Sequence, residues 1–483
     1  MFSWTKEAIM HFRGKTEAND RASELRVYDE QIARIRQKLL RAAQAEGSGS
    51  VFGASSHQYR MNEPMTLTQL GQLEAEWGVT LPDPFAAFLV GVGDGGAGPY
   101  YGVYPSSRIS PDLDRLAEPS TFRLDRTSQD WMSPPAENDE LDDDMDDEAY
   151  DAFWANLLRG TIEFGTMGCA NELLLIVSGE HRGRVVYINM DSPKVFFAYE
   201  KNFLDWYERW LDEVIGGFEI HWFGTTPGGS EADLVAAFRQ ADSGETRGDL
   251  LRALLRLPRP SEAVIRLAED ALGDPAEQVR DWALTLLAKR APRLADPLLV
   301  KLLRSESPEE RRTVVQLIHW YRKEAAGEFA EELIRLAPIE SDAETFRFIG
   351  YVLETAGIEK FPLLLSAFRS PDPDIRKNAV WQAGSSARKA EYVEDFIAAL
   401  GDLDPWVQHS AVQATNGLTD LRLLPAYERL LAQHRTDKHY IPGNIRQALA
   451  KYEFGTSEEI ERGVPSELTR VRGILRALTE ERT

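Results

Sequence analysis

Five positions in the second half of the chain recur at one interval. Arg280, Arg312, Glu344, Arg376 and Gln408 stand 32 residues apart. Around three of them the same phrase returns: DPAEQVRDWAL from Asp274, DPDIRKNAV from Asp372 and DPWVQHSAV from Asp404. An aspartate in that place caps a helix, and the proline behind it occupies a first turn that needs no backbone donor. Val279, Ile375 and Val407, with Ala283, Ala379 and Ala411, then fall on one inward face. A second helical stretch follows each, as at residues 392–400. A fixed period carrying two helices builds a stack in which each pair buries the face its neighbour leaves open. Residues 245–257 fit the register one repeat earlier and residues 444–454 supply a last unit, giving about six repeats over 231–456. A helical tail at 457–483 follows. Trp282 and Trp381 lie inside the first helices and are expected between repeats. Trp406, just behind Asp404 and Pro405, is expected to be partly exposed.

The first half has a different rhythm. Leu25, Tyr28, Ile32, Ile35 and Leu39 form a helical stripe within residues 19–46, read as a helix docked on its own domain, with a dimerising coiled coil as the alternative. Gly47, Ser48, Gly49 and Ser50 close this 1–50 segment as a link. A domain then runs over 51–223. It begins with a helix at 66–77, an extended turn at Leu81 to Phe85 and a short buried helix at 84–92. Gly93, Asp94, Gly95 and Gly96 form the turn that ends this helix, with backbone of positive φ. Residues 173–177, 184–188 and 195–199 read as strands, and residues 203–215 as an amphipathic helix. The expected class is α+β, a small and mostly antiparallel sheet flanked by helices, followed by an all-α solenoid. Residues 224–230, rich in Gly, Pro and Thr, link the two.

The chain has 483 residues and a net charge of −23. Most of that charge sits between residues 61 and 222, which hold 30 acids against 10 bases. Such a surface repels phosphate backbones and draws basic partners, so a protein partner is expected and direct nucleic-acid binding is not. No apolar run reaches the length of a membrane helix, no secretory leader opens the chain, and Cys169 is the only cysteine. These features suit a cytoplasmic protein. Oligomeric state is not readable from the sequence.

The run at 137–151 contains ten acids, among them Asp142, Asp143, Asp144, Asp146, Asp147 and Glu148. It reads as a solvated loop, with docking of a basic partner as the functional alternative; it lacks the glycine and glutamate spacing of a calcium loop. Tyr100, Tyr101 and Tyr104 follow the glycine turn as core residues or contact anchors. With Trp406, Tyr100 and Tyr101 are candidate partner-binding residues. Gly91, Gly93 and Gly96 satisfy G-x-G-x-x-G, but a helix precedes them and Pro99 follows, so the dinucleotide context fails. Cys169 has no recognised partner base, and the histidines show no metal-like cluster. The expectation is therefore no cofactor, no metal, no membrane and no enzyme activity, with an enzyme whose site the sequence does not reveal as the remote alternative.

Residues 77–82 (WGVTLP), 85–89 (FAAFL), 93–105 (GDGGAGPYYGVYP), 168–188 and 203–211 resemble, in order and spacing, the SUKH superfamily of bacterial immunity proteins and cell-wall-synthesis regulators. Asp94 stands where members often have Asn, and both residues suit such turns. The second half resembles short HEAT-like repeats of the phycobilisome-lyase type, which imply a binding scaffold and not lyase chemistry. Together the resemblances imply an immunity-type protein that neutralises a cognate bacterial toxin, such as a basic nuclease, by direct docking. A regulatory scaffold recruiting protein partners is the second expectation.

Overall fold

A computed structural model describes residues 21–129, 131, 145–436 and 438–482. The chain divides into two compact units, with the boundary after Ala283.

The first unit is built on an antiparallel sheet of four strands in the order β1-β2-β3-β4: β1 Thr161–Gly168, β2 Asn171–Ile176, β3 Val185–Asn189 and β4 Ser192–Phe197. The strands alternate between two cores, as a period of two requires. Leu173, Leu175, Val185, Tyr187 and Phe196 join the main core, while Leu174, Ile176, Val186, Ile188 and Phe197 meet Phe122 and Trp154 on the other face. Sequence patterning misses β1. Its glycines at 165 and 168 and its exposed Glu163 hide the strand, which is held by pairing with β2 across two irregularities.

The main core is covered by the helices Asp29–Gln44, Leu67–Trp77, Asp83–Gly91 and Phe203–Ile215. Each has a local reason to start or stop. Thr66 and Gln69 form a reciprocal capping box, and Gly78 ends that helix in the left-handed region at φ 68°. Asn202 accepts from the Asp205 N–H to open the last helix. The N-terminal stripe packs inward: Ile32, Ile35 and Leu39 are buried in this core, and Arg34 and Lys38 pair with Glu208 at 2.9 and 2.8 Å. The helix is thus docked on its own unit.

The first helical pair, Glu231–Gln240 and Gly244–Leu255, also belongs to this unit. The Tyr199 hydroxyl donates to Asp249 at 2.5 Å, and Arg256 binds Glu213, Thr226 and the Glu219 carbonyl. The helices Glu262–Ala271 and Glu277–Arg290 follow in the chain, and the unit boundary falls within the second of them.

The second unit is helical throughout its described residues. Its pairs are Pro292–Leu302 with Pro308–Tyr321, Ala330–Leu336 with Ala343–Thr355, Phe361–Ala367 with Pro373–Ala383, Val393–Leu400 with Pro405–Thr415, Leu424–Gln433 with Ile441–Leu449, and Ser457–Gly463 with Thr469–Glu480. Asp342, Asp372 and Asp404 cap the second helices, and Ile375, Ala379, Val407 and Ala411 are buried as their spacing demands.

The recurring arginine has a defined task. Arg247, Arg280, Arg311 and Arg376 each donate to the carbonyls six and five residues earlier, in the turn that opens their own helix. Arg247, Arg311 and Arg376 also hold the carboxylate of the following turn: Asp274, Glu340 and Asp402. Gln408 keeps the bond to the Asp402 carbonyl and meets the His434 ring at 2.7 Å in place of a carboxylate. In the middle of the array the register slips. Arg311, not Arg312, takes the clip position, while Arg312 pairs with Asp342.

Trp381 departs from its expected burial between repeats. It is 47% exposed, because Ile375, Ala379 and Ala383 occupy the inward face of its helix and Trp381 lies opposite them.

Candidate partner-binding site

The glycine turn after residues 83–91 sets the geometry of the first unit's most exposed aromatic cluster. The N–H of Gly93 closes the helix on the Phe88 carbonyl at 3.0 Å. Gly96, at φ 122°, exchanges both backbone hydrogen bonds with Val103, and a Cβ there would stand 2.6 Å from the Arg60 carbonyl. The Asp94 carboxylate accepts from the backbone and hydroxyl of Ser106 at 2.8 and 2.9 Å. The turn thereby lays residues 100–104 along β1, where the Tyr104 N–H meets the Phe164 carbonyl at 2.7 Å.

Of the three tyrosines there, only Tyr101 faces solvent. Tyr100 and Tyr104 are each 7% exposed, whereas Tyr101 is 44% exposed. The Tyr100 hydroxyl donates to the Phe223 carbonyl at 3.1 Å, beside a second donor, the Tyr187 hydroxyl at 2.9 Å. Burial drives both phenols well above their ordinary titration range, so they stay protonated and donating. The Tyr101 ring meets Phe52 edge-on at 5.1 Å.

Beneath these rings lies a pocket of about 310 Å³, walled by Tyr100, Met167, Trp210, Ile220 and Phe223, with Phe52, Cys169 and Trp222 at its margin. It is near the lower size limit of ordinary ligand clefts and mostly apolar. Phe52 and Trp222 are 47% and 49% exposed. Three non-glycine residues around it hold left-handed backbone: Tyr100 at φ 56°, Cys169 at φ 51° and Trp222 at φ 60°. Such conformations cost about 1–3 kcal/mol each and persist only where the surroundings impose them. Cys169 and Ala170 form the tight turn between β1 and β2, where the Asn171 side chain donates to the carbonyls of Gly168 and Cys169 at 3.1 Å. The thiol is exposed.

The other sequence-predicted contact residues lie elsewhere. Asp142, Asp143 and Asp144 fall outside the described residues. Asp146 caps the helix Asp147–Leu157 by accepting from the Ala149 N–H at 2.8 Å, and Asp147 and Glu148 sit exposed in its first turn. That helix packs through Trp154 on the sheet face opposite the main core, so these acids and Tyr101 are not brought together. Trp406, 45% exposed, belongs to the second unit and meets His409 and His439 edge-on. Phe52 and Trp222 were not anticipated. Neither lies in a periodic segment, and only their exposure and the backbone conformation at Trp222 mark them.

Among the described residues no helix is long and apolar enough to cross a membrane. A search of curated proteins gives no match. Among solved structures, the X-ray structure of YibA from Escherichia coli aligns at 16% identity over 51% of this chain and 92% of its own, with a TM-score of 0.37. The complex of CpcE and CpcF of the phycocyanin lyase from Nostoc sp. PCC7120 aligns at 16% identity over 52% of this chain and 96% of its chain, with a TM-score of 0.27. Residues 64–209, which carry the glycine turn, the four-stranded sheet and Trp206, match the SMI1/KNR4 family (SUKH-1).

Proposed function

We propose that this chain is a non-enzymatic, immunity-type protein that neutralises a cognate bacterial toxin by docking on it through the first unit. The observation that carries this reading is the group of exposed rings, Phe52, Tyr101 and Trp222, around a preformed apolar pocket in the segment of the chain that holds most of its negative charge. Aromatic anchors over a pocket supply affinity at a protein interface, and the net negative charge of the same stretch of chain steers a basic partner from a distance. The SUKH-1 match supports an immunity-type or regulatory domain. The partner in this reading is a basic protein, such as a nuclease toxin, whose phosphate-binding surface the acids cover.

The test is co-expression with the product of the neighbouring reading frame, followed by titration calorimetry of the purified pair. Neutralisation, a complex that weakens with salt, and at least a tenfold loss of affinity in Trp222→Ala or Tyr101→Ala are expected, as for anchor residues worth about 1.4 kcal/mol or more. Unchanged toxicity with no complex at moderate salt ends the proposal. A regulatory scaffold is the second reading, favoured by the same family match and by a helical array with exposed tryptophans of its own.

A further inference from the structure

The pocket beneath Phe52 and Trp222 offers rings and few hydrogen bonds. Phe52, Tyr100, Trp210 and Trp222 line it, with the Met167 thioether beside them. The Tyr100 hydroxyl is spent on the Phe223 carbonyl, and Trp210 Nε1 is shut off from solvent, so both residues present ring and not donor. The acceptors around the pocket are paired as well. The carbonyls of Gly168 and Cys169 take the Asn171 amide, and the Asn171 side-chain oxygen takes Asn189. The Pro99 carbonyl takes the Gly102 N–H, Ile220 the Phe223 N–H and Trp222 the Thr225 hydroxyl. Among the described residues no carboxylate, lysine or arginine lines the pocket, and His221 is exposed at its margin. Charge lies around it instead. An adjoining hollow of about 240 Å³ shares Phe52, Ile220 and His221 with the pocket and is lined by Glu46 and Glu219. Glu46 is exposed and has no ion pair among the described residues. Behind Tyr100, Arg209 and Arg256 are met by Glu200 and Glu213, so the buried side adds no net charge.

We infer that this pocket binds a trimethylammonium group, the cation of choline-like small molecules and of trimethylated lysine. An ammonium or guanidinium would lose its water there and leave N–H donors without acceptors. A quaternary nitrogen has no donor to satisfy. Its charge spreads over methyl groups, which pack on ring faces and on the soft thioether and are drawn by the negative faces of the rings. A neutral group of the same shape gains the burial alone. The cation gains the faces and, in addition, the potential of the carboxylates next door and of a stretch with 30 acids against 10 bases. A volume of about 310 Å³ holds such a group with room to spare. The inference goes beyond the docking of a toxin and does not rest on it.

The experiment titrates the full chain at about pH 8, where an ordinary imidazole is neutral, read by calorimetry and tryptophan fluorescence. Three probes are compared: choline; dimethylbutanol, in which a neutral carbon replaces the nitrogen; and ethanolamine, which keeps the charge but brings N–H donors. Saturable binding of choline is expected, with both analogues weaker by about tenfold or more. Trp222→Ala and Phe52→Ala, both at exposed positions, should weaken choline about tenfold. Glu46→Gln should weaken it about threefold and leave dimethylbutanol unchanged; melting curves confirm that each variant folds. A peptide carrying trimethyl-lysine separates the two sources: binding tighter than choline assigns the group to a partner protein, weaker binding to a small molecule. Equal or tighter binding of dimethylbutanol would reduce the site to an apolar pocket and overturn the inference. Equal binding of ethanolamine, or no saturable binding at millimolar choline, would do the same. The titration uses the chain alone, so its result and that of the toxin co-expression stand apart.

Discussion

The carboxylate of Glu213 grips the guanidinium of Arg256, 43 residues further along the chain, with two hydrogen bonds, one of 3.1 Å from Nη1 to Oε1. The same carboxylate receives Arg209 Nε at 2.7 Å, and Arg209 reaches on to Glu200. All three partners of this junction are at least nine-tenths buried. Burial alone would favour the neutral form of Arg209, but Glu213 and Glu200 outweigh it and hold the cation in place. The helix closing the SUKH-like fold is thereby bonded to the first helical pair, across residues that the sequence suggested were a simple link.

Removing that carboxylate strands two cations in a dry site. Glu213→Ala is therefore expected to lower the stability of the full chain by about 3–5 kcal/mol, measured by urea unfolding. Glu213→Gln, which keeps an acceptor, should lose less. A change below about 1 kcal/mol would show that water reaches the junction.

Two groups respond to acid in opposite senses. Burial against Tyr59 and Trp210 holds His57 down at about 4, and its Nδ1 accepts the Tyr59 N–H at 3.1 Å. Its folded value lies below its unfolded one, so its contribution is complete above about pH 6.5 and is lost as pH falls towards 4. Glu172, pushed up to about 6 by burial and then by Glu163 across the strand pair, behaves inversely. Its folded value exceeds its unfolded one, so stability falls as pH rises from about 4.5 to 6. Glu172→Gln should raise stability at pH 7.5 by up to about 1 kcal/mol, discounted for its partial exposure, and have little effect at pH 4. His57→Phe should flatten the acid side of the profile. Urea midpoints at several pH values check both.

Gly96 tests the turn that presents Tyr101. Gly96→Arg forces a side chain onto backbone at φ 122° and a Cβ against the Arg60 carbonyl. A loss of roughly 1–3 kcal/mol is expected, read as a lower melting temperature. Melting identical to the parent would show that the turn tolerates a side chain.

Arg376→Ala removes a repeat clip. Arg376 holds Asp402 at 2.8 Å and the Ser370 carbonyl at 2.9 Å. With those acceptors left open, a loss of about 1.5–3 kcal/mol is expected, together with faster amide exchange confined to the two turns around residues 371 and 403. Exchange that quickens evenly over the whole unit would argue against a local clip.

Much of this architecture was legible in the residues because it is local. The caps at Asp372 and Asp404, the inward Val407 and Ala411, and the helix Phe203–Ile215 follow from spacing alone. What escaped depends on distant partners. β1 is a strand because β2 lies beside it, not because of its own composition. The strict interval hid a slip at Arg311, which only the position of the turn at Ser305 and Glu306 reveals. The candidate site was half visible. Tyr101 stood in a motif, but Phe52, whose ring it touches, and Trp222 reach the pocket from segments with no period, and the acids at 146–148 proved to open a helix on the other sheet face.

The arginine clips also govern where this protein can change in length. Each spans a turn between the first and second helix of a pair, and a residue added there would pull the guanidinium off its two carbonyls. The connections that follow the second helices, such as residues 322–329 and 384–392, carry no clip of that kind. Insertions and deletions over evolutionary time should therefore collect in those connections, leaving the clipped turns constant in size while the rest of the array drifts.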